Sequence, residues 1–403
     1  MKVTRRGFLS GAASVAAAIP AAGVGVGAAQ GQPAQAKRAA GVLPRRKLGR
    51  NGPEVTMLAT GGQSRQITPD YYDRAWDMGI RYFDMAESYR RGQTEREMAK
   101  WIERHPRRRG EVFIATKDRP RQLAAIPGMI DKRLAALKTD YLDWFLIHGI
   151  SARDYGEGSY DWPKSDAFAR IREDMIKAGK VRLMGFSCHD LQSDRYLHAA
   201  AEGGFVDAIL MHSFPFHRKG DAADMAIQAC HDAGIGLVGM KVMRNARRVP
   251  RQLPEFEEAG LTTHQAALHA LWSDERFSAA VIWMDNDDQM TENCGAVRKY
   301  KGPILAEQRR ALEAAVLAAG PAICPGCPAC QAAAERTGVN LNAVSRYVAY
   351  YEQDGTAEAR DQYRALTRRE RDLSCLDLEQ LKQACCHHVD YPKIAERAAY
   401  FFG

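Results

Sequence analysis

Four residues that can hold or transfer a proton stand in the first half of the chain: Asp84, Tyr89, Lys117 and His148. A free tyrosine has a pKa near ~10, and a nearby ammonium group lowers it by favouring the phenolate. An imidazole can donate a hydrogen bond to a substrate oxygen. Each residue alone also has an ordinary structural interpretation, as a helix cap, a solvated charge or a core histidine. Together they predict one acid–base site, provided that the fold brings them together.

A second chemical signal comes from cysteine, because six of the nine cysteines lie between Cys324 and Cys386. Cys324, Cys327 and Cys330 form a Cys-x2-Cys-x2-Cys run, which fits iron–sulfur ligation. The bacterial ferredoxin run continues with a fourth cysteine after three residues, and this chain has Ala334 there. The run by itself is therefore one ligand short.

A remote cysteine supplies the missing ligand. In two-cluster modules the fourth cysteine of each run ligates the other cluster. A second run aligned on Cys375 retains Cys385, but Leu378 and Leu381 replace its two middle cysteines. The losses fall on one cluster, which favours a single [4Fe–4S] centre and makes Cys375 a remnant. The predicted ligands of that centre are Cys324, Cys327, Cys330 and Cys385.

Other assignments of these thiols remain open. Cys386 competes with Cys385 as the fourth ligand, and His387 and His388 are weaker candidates. A zinc site is a second interpretation, although zinc favours two separated pairs of ligands. Disulfides are a third, although three cysteines two residues apart cannot all pair locally.

The elements around the acid–base residues follow a regular alternation. Short apolar runs alternate with amphipathic helical stretches from about residue 46, which indicates parallel β/α units. Eight such units over this length fit a closed (β/α)8 barrel. An open doubly wound sheet is the alternative, but it usually carries a Gly-x-Gly-x-x-Gly loop that is missing here. The predicted strands are Val55–Thr60, Tyr82–Asp84, Val112–Lys117, Trp144–His148, Leu183–Ser187, Ala208–Met211, Gly236–Lys241 and Ala279–Met284.

The polar residues fall where such a barrel would carry its chemistry. Asp84, Lys117 and His148 end the second, third and fourth predicted strands, and Tyr89 follows in the loop after Asp84. Active sites of these barrels lie at the carboxyl ends of the strands. The four side chains are therefore expected to converge on one barrel mouth.

These residues stand in segments that resemble the aldo-keto reductase family. The segments include the aspartate–tyrosine loop, the lysine strand and the histidine strand, and the similarity covers most of the chain after residue 46. They are Arg46–Gly52, Tyr82–Tyr89, Ile114–Lys117, Tyr141–His148 and Gly185–His189.

The resemblance implies a reversible hydride transfer between a nicotinamide and a carbonyl or alcohol substrate. Tyr89 would be the acid/base, Lys117 and Asp84 would tune it, and His148 would orient the substrate oxygen. The hydride must come from a cofactor, because no side chain supplies one. Ser187 is implied to lie near the nicotinamide carboxamide.

The remaining cofactor positions are also implied by resemblance. The Gly-Phe-Ser-x-His form ending in His189 and the Met-Lys pair ending in Lys241 resemble an iron–sulfur subset of the family. Glu292 and Asn293 match the helix that holds the adenosine phosphate. The acids within residues 285–288 would repel a 2′-phosphate. The cofactor is thus expected to be NAD or NADP, with a weak preference for NAD.

The first 36 residues differ from the rest. They contain no acid and begin with paired arginines, Arg5 and Arg6, before Gly7-Phe8-Leu9 and a run rich in Ala and Gly. This pattern is typical of an export signal and resembles the twin-arginine type. A membrane anchor and a transit peptide are the alternatives, but the apolar run is weak and contains Pro20. The protein is therefore predicted to be periplasmic or otherwise exported, carried by the twin-arginine machinery and without a stable membrane span.

Composition adds limits to this interpretation. The chain has 403 residues, 46% of them hydrophobic, and a formal net charge of +8. No basic stripe suits nucleic acid. The expected division is a signal at 1–36, a barrel at 46–320 and an iron–sulfur-binding tail at 321–403, with a redox partner for the cluster as a further expectation. The competing hypothesis is a non-catalytic barrel scaffold whose tail transfers electrons or docks a partner.

Overall fold

The computed structural model describes residues 41–190, 192–212, 220–242, 249–318, 323–324, 336–354, 357–385 and 389–403. These residues belong to one compact unit, Ala39–Gly403. The predicted export signal at 1–36 lies outside the described residues. The predicted boundary between barrel and tail at residue 320 also lies outside them and stays a prediction.

Parallel strands close into a barrel in the order β10-β3-β4-β5-β6-β7-β8-β9. The closure pairs Ala280 of the last strand with Leu58 of the first. The prediction of a (β/α)8 barrel is thereby confirmed, and the open doubly wound sheet is wrong. The strands are β1 (Arg45–Lys47), β2 (Glu54–Thr56), β3 (Leu58–Gly61), β4 (Tyr82–Asp84), β5 (Phe113–Asp118), β6 (Leu142–Ile150), β7 (Val181–Cys188), β8 (Ala208–His212), β9 (Gly236–Met240) and β10 (Phe277–Ile282).

The first predicted strand, Val55–Thr60, is in fact two elements. Its start belongs to β2, which pairs antiparallel with β1 in a separate hairpin, with Arg46 opposite Val55. Its end belongs to β3 of the barrel. The break falls at Met57, whose amide still donates to the Pro44 carbonyl of the hairpin, whereas its carbonyl accepts the Ala280 amide of the barrel, so the chain changes partners at this residue. An apolar run alone cannot reveal this break.

The helices cover the outside of the barrel and form the tail. Side chains of Ser165, Asp221 and Thr262 accept backbone N–H groups at three helix starts, which satisfies donors that a helix leaves free. The helices are α1 (Pro69–Asp77), α2 (Gln93–Arg104), α3 (Ile126–Leu137), α4 (Asp166–Lys177), α5 (Ser193–Gly203), α6 (Ala222–Asp232), α7 (Thr263–Trp272), α8 (Asp287–Lys299), α9 (Ala306–Ala318), α10 (Leu341–Asp354), α11 (Ala357–Arg364), α12 (Leu378–Ala384) and α13 (Tyr391–Phe402). Shorter helical turns lie at Pro106–Glu111, Leu123–Ala125, Ala152–Tyr155, Glu157–Lys164, Pro254–Phe256, Arg368–Arg371 and Leu373–Cys375.

The barrel strands are buried on both faces, as expected for a parallel sheet covered by helices. Trp144, for example, lies inside the barrel and Phe145 lies in the shell between strands and helices, and both are fully buried. One polar anchor was not expected from the sequence. Arg109, which falls in a basic run that reads as a solvated loop, is buried and forms a 2.9 Å ion pair with Asp143 of β6. Arg109 therefore supports β6, the strand that carries His148.

The tail has its own hydrophobic cluster, which includes Val344, Tyr363, Val389 and Tyr391. It also contacts the barrel directly, because the Arg153 Nη1 atom donates to the Tyr347 hydroxyl at 2.9 Å. None of the helices in the described ranges has the length and apolarity needed to cross a membrane.

Candidate active site

A buried ion pair joins the ends of β4 and β5. The Lys117 ammonium donates to both Asp84 carboxylate oxygens at 2.7 and 2.8 Å and to the Met85 carbonyl at 2.6 Å. Lys117 is 1% exposed and Asp84 3%. Burial lowers the pKa of Lys117 and raises the pKa of Asp84, and the charge of each partner opposes the shift of the other. All three ammonium protons are engaged, so Lys117 can act on its neighbours only through its charge.

Tyr89 lies over this ion pair. The Lys117 ammonium is 4.7 Å from the centre of the Tyr89 ring. The tyrosine loop is held by the Glu87 amide, which donates to the Lys117 carbonyl at 3.0 Å. Gly62 leaves room for the ring, because a Cβ atom there would lie 2.9 Å from Tyr89 and 2.6 Å from the Asp84 carbonyl. The structure therefore brings Tyr89 together with the pair, as expected.

The two residues that follow Tyr89 have an unusual backbone conformation. Arg90 has a φ of 50° and Arg91 a φ of 56°, both in the left-handed region that side chains other than glycine rarely adopt. Such strain persists only where the surroundings enforce it, and it clusters at functional sites. The Arg90 guanidinium donates to the Arg65 carbonyl at 3.0 Å, which contributes to that enforcement.

His148 faces Tyr89 across the barrel mouth, with ring centres 5.5 Å apart in an edge-to-face arrangement. Its Nδ1 atom lies 3.4 Å from the Ser88 hydroxyl. Burial holds the pKa of His148 well below its usual 6.5, and the positive charges of Lys117, Arg119 and Lys241 lower it further. The imidazole is therefore neutral at physiological pH and carries one N–H donor.

Ser187 and His189 stand at the end of β7. The Ser187 hydroxyl accepts the Gly149 amide at 2.8 Å, which leaves its own proton free to be donated. The Nε2 atom of His189 lies 3.2 Å from the Lys241 ammonium, and that ammonium also contacts the Tyr350 hydroxyl of α10. Burial, together with the charges of Lys241 and Arg346, lowers the pKa of His189 well below 6.5.

Glu292 and Asn293 lie away from this mouth, on α8 where it packs against α7. Glu292 accepts the Thr262 hydroxyl at 2.6 Å and lies 3.4 Å from the Arg251 guanidinium. Asn293 is buried, and neither residue lines the cavity described below. Their predicted role toward an adenosine phosphate stays a prediction.

The acidic segment before α8 is held by internal contacts. Asp285 accepts the Trp283 indole N–H at 2.6 Å, and Asp287 forms a 2.7 Å ion pair with Arg74. Asn286 caps the helix. The negative charge at this edge is therefore fixed in place, and Arg74 offsets part of it.

The barrel mouth opens into a cavity of about 660 Å³. Asp84, Tyr89, His148, His189 and Lys241 all reach it. The tail closes its other side, a feature that the sequence analysis missed. The spacing of Arg346 and Tyr350, one helical turn apart, is the only sequence signal that could have indicated it. The tail residues that line the cavity are Asn340, Asn342, Arg346, Tyr347, Tyr350, Ala359, Gln362 and Ala365.

Two of the four predicted cluster ligands can be described. Cys324 and Cys385 are both buried within the tail's hydrophobic cluster. The Cys324 sulfur accepts the Tyr391 hydroxyl at 3.3 Å, and the Cys385 sulfur accepts the Val389 amide at 3.4 Å. Cys375, by contrast, is exposed. No group of three or more metal-binding side chains occurs within the described ranges. Cys327, Cys330, Cys386, His387 and His388 lie outside those ranges.

The comparison with known families agrees with the site. The aldo/keto reductase family model matches residues 56–257, half of the chain. The protein belongs to the aldo/keto reductase family, a family of oxidoreductases that act on carbonyl and alcohol groups. Arg346 and the cysteine tail lie beyond the matched residues.

Individual relatives are distant. The chain is 27% identical over 161 residues to an uncharacterized oxidoreductase, YqkF, from Bacillus subtilis; the match covers 36% of this chain and 49% of that protein, about half its length. The holo form of the aldo-keto reductase AKR11C1 from Bacillus halodurans superposes with a TM-score of 0.52 at 21% identity, over 68% of this chain and 96% of the other. An aldo/keto reductase from Klebsiella pneumoniae in complex with NADP and acetate gives 0.52 at 20% identity, over 67% and 95%. These structures share the fold with this protein.

Proposed function

We propose that this protein catalyses reversible hydride transfer between a nicotinamide cofactor and a small carbonyl or alcohol substrate. The observation that carries the proposal is the convergence of Tyr89, His148 and the Lys117–Asp84 pair on one cavity. Family membership supports the same reaction class.

Each residue of the site has a role in this reaction that follows from its contacts. Tyr89 donates its phenolic proton to the substrate oxygen in reduction and takes it back in oxidation. The Lys117 charge favours the phenolate that remains, and Asp84 fixes the ammonium in position. Neutral His148 donates its N–H to the same oxygen and sets its direction. Residues of the tail line one side of the mouth, opposite the barrel residues.

The cavity suits a nicotinamide ring. Buried Ser187 has a hydroxyl proton to donate to a carboxamide oxygen, since its own acceptor side is used by Gly149. His189, two residues further along the chain, lines the cavity together with Lys241. A bound nicotinamide supplies or accepts the hydride that the side chains cannot. The Klebsiella pneumoniae relative is described with NADP.

We propose NAD as the preferred form of the cofactor. Asp285, Asp287 and Asp288 gather before and at the start of α8, near the helix implied to hold the adenosine end. Like charges would oppose a 2′-phosphate there. Calorimetric titration with NADH and NADPH tests this, and tighter binding of NADPH would contradict it.

Tyr89→Phe tests the reaction itself. General acid catalysis contributes about 10²–10⁴-fold, so we expect that loss of turnover with nicotinamide binding unchanged. Tyr400→Phe is the matched control, because Tyr400 is 83% exposed and does not line the cavity. Equal turnover by Tyr89→Phe and wild type would refute the assignment. Absence of both turnover and nicotinamide binding would favour the non-catalytic scaffold instead.

We also propose one [4Fe–4S] cluster in the tail, held by Cys324, Cys327, Cys330 and Cys385. Cys324 and Cys385 are buried in one cluster of side chains, and each sulfur accepts a hydrogen bond, which is how cluster ligands are commonly supported. Protein purified without added cofactor should be brown and contain about four irons per chain. Colourless protein with one zinc would overturn this assignment.

The export signal is the third part of the proposal. The paired arginines Arg5 and Arg6 would direct a folded, cofactor-loaded chain to the twin-arginine machinery. Replacing both by lysine should leave the protein in the cytoplasmic fraction, while the wild type reaches the periplasm. Export of the double variant at the wild-type level would contradict it.

A further inference from the structure

Arg346 lines the cavity and forms no salt bridge with a carboxylate of the described residues. Arg346 of α10 donates through Nη1 to the His189 carbonyl at 3.4 Å and through Nη2 to the Tyr347 hydroxyl at 3.1 Å. Its Nε atom is buried without a hydrogen-bond partner in the part of the chain that the structure describes. A buried donor left unsatisfied is costly, and more so when it carries charge. The Arg346 guanidinium therefore brings to the cavity a positive charge that no carboxylate of the described residues pairs with.

The acids nearest to Arg346 are occupied elsewhere. Asp190 accepts backbone amides of Gln192 at 2.8 Å and Ala152 at 3.1 Å. Asp154 accepts the Ser151 hydroxyl at 2.9 Å. Neither forms a salt bridge with Arg346, nor does any other carboxylate among the described residues. A neighbouring arginine of the barrel behaves differently, since the Arg153 guanidinium lies 3.8 Å from the Glu370 carboxylate of the tail.

The surroundings of Arg346 add more positive charge. Lys241 approaches the same histidine, His189, from the barrel side. Arg346 and the Tyr350 hydroxyl that contacts Lys241 lie one turn apart on α10. The depressed pKa values of His148 and His189 report the same field, because cations contribute to both shifts. This wall of the cavity is thus suited to negative charge.

We propose that Arg346, with Lys241, forms a subsite for the carboxylate of the substrate, so that the enzyme acts on an oxo acid or a hydroxy acid. The planar guanidinium matches a carboxylate through paired N–H donors, which a lysine cannot reproduce. Arg346 is then a specificity-determining residue, contributed by the tail to a cavity whose other residues come from the barrel. The inference rests on the proposed function for the identity of the reaction and on Arg346 for the identity of the ligand.

The position of Arg346 separates the substrate from the cofactor as the source of the anion. Arg346 lies outside residues 56–257, where the family model matches. It lines the cavity together with Tyr89 and His148, the groups proposed to hold the reacting oxygen. The helix implied to hold the adenosine phosphate carries Glu292 and Asn293, and neither residue lines this cavity, so Arg346 is assigned to the substrate.

The test uses binding, so that it does not depend on turnover. Succinate serves as an unreactive carboxylate probe and inorganic phosphate as the competing anion, each titrated calorimetrically into the full-length protein. Arg346→Gln should weaken succinate binding by about ten-fold or more, since hydrogen bonds to charged groups contribute ~1.5–3 kcal/mol. Arg346→Lys keeps the charge and should lose less. Arg364→Gln, an exposed arginine at the end of α11, is the matched control and should bind as the wild type does.

Several results would overturn the proposal. They are no succinate binding by the wild type, equal binding by wild type and Arg346→Gln, tighter binding of phosphate than of succinate, or a loss of NADH affinity in Arg346→Gln as large as the loss of succinate affinity. Tyr89→Phe separates the two hypotheses, because it should bind succinate normally. Succinate binding that depends on Arg346 in a protein without turnover would refute the proposed reaction and leave the subsite standing.

Discussion

Two cations of the candidate site, the buried Lys117 and the half-buried Arg346, have opposite surroundings. Lys117, in the barrel, has an aspartate and a carbonyl within 2.8 Å and uses all of its protons on them. Arg346, in the tail, has a carbonyl and a hydroxyl, no ion pair among the described residues, and a buried Nε with no partner there. The first charge is compensated by the fold. The second is left for a ligand to compensate.

The difference follows from how each residue is positioned. Lys117 and Asp84 end adjacent parallel strands, and the pairing of Asp84 with Ala115 brings the two ends level. The strand register therefore places the counter-ion, Asp84, beside Lys117. Arg346 arrives from a helix 157 positions away in sequence from the carbonyl that it contacts, where no register applies. A barrel can thus keep a constant catalytic charge while an added tail changes what the cavity accepts.

Lys117→Met should produce the largest change in stability. It leaves Asp84 buried without a partner, which typically costs ~3–5 kcal/mol of unfolding free energy. Equilibrium urea unfolding of the full chain measures this. Lys138→Met is the control, because Lys138 pairs with Glu103 on the surface and should lose about 1 kcal/mol or less. A loss of unfolding free energy below ~1 kcal/mol for Lys117→Met would mean that Lys117 does not compensate the buried charge of Asp84 as described.

The cysteines give the next contrast, between buried and exposed sulfur in one tail. Cys324→Ser and Cys385→Ser should each reduce the iron content from about four per chain to about one or less and remove the brown colour. Cys375→Ser should retain both, because Cys375 is exposed and lies outside the predicted ligand set. Iron analysis and visible absorption are the measurements. Iron retained in Cys385→Ser and lost in Cys386→Ser would move the fourth ligand to Cys386.

Arg346→Met should have a much smaller effect on stability than Lys117→Met. No carboxylate is left unpaired when Arg346 is removed, and an apolar side chain of similar length avoids the cost of burying a charge. We expect a change within ~1 kcal/mol in either direction, from the same urea titration. A loss of ~3 kcal/mol would show that Arg346 is a structural charge, and the contrast with Lys117 would fail.

The smallest expected effect is a titration shift. The pKa of His189 is lowered by burial, Lys241 and Arg346, whereas Arg346 is not among the main causes for His148. Arg346→Gln should therefore raise the pKa of His189 more than that of His148, measured by NMR of labelled histidines. Arg364→Gln should shift neither. A shift confined to His148 would contradict the geometry.

The sign of the linked stability change follows from the direction of the pKa shift. A histidine whose pKa is lowered by folding contributes its stability above pH 6.5, where both states are neutral. That contribution is lost as the pH falls below 6.5, because only the unfolded chain takes up the proton. Arg346→Gln should make the protein less sensitive to this acid range than the wild type.

The residues of the mouth could be placed from the sequence because they follow strand ends. Asp84, Lys117 and His148 lie at or within two residues of the ends of consecutive strands of a parallel barrel, and all such ends meet at one rim. The observed strands differ from the predicted bounds mainly by a residue or two. The exception is Val55–Thr60, where a hairpin and a barrel strand share one apolar run.

Other features depended on contacts that no local pattern encodes. The basic segment around Arg109 predicts a solvated loop, and the burial of Arg109 is explained by its ion pair with Asp143 of β6. Glu292 matches a cofactor motif, yet the structure holds its carboxylate between Thr262 and Arg251, outside the cavity. In both cases the contacts of the side chain come from another element.

The sequence by itself determined the barrel, its family and the acid–base set at its mouth, because the alternation of strands and helices fixes which chain positions reach the rim. Only the tertiary structure decided which side chains lie across the cavity from these acid–base residues. The contact between Lys241 and Tyr350 spans 109 positions, and α10 carries Arg346 to the same wall. The physical reason is that period and spacing specify which side chains share one element. The neighbour across a cavity depends on how separate elements pack.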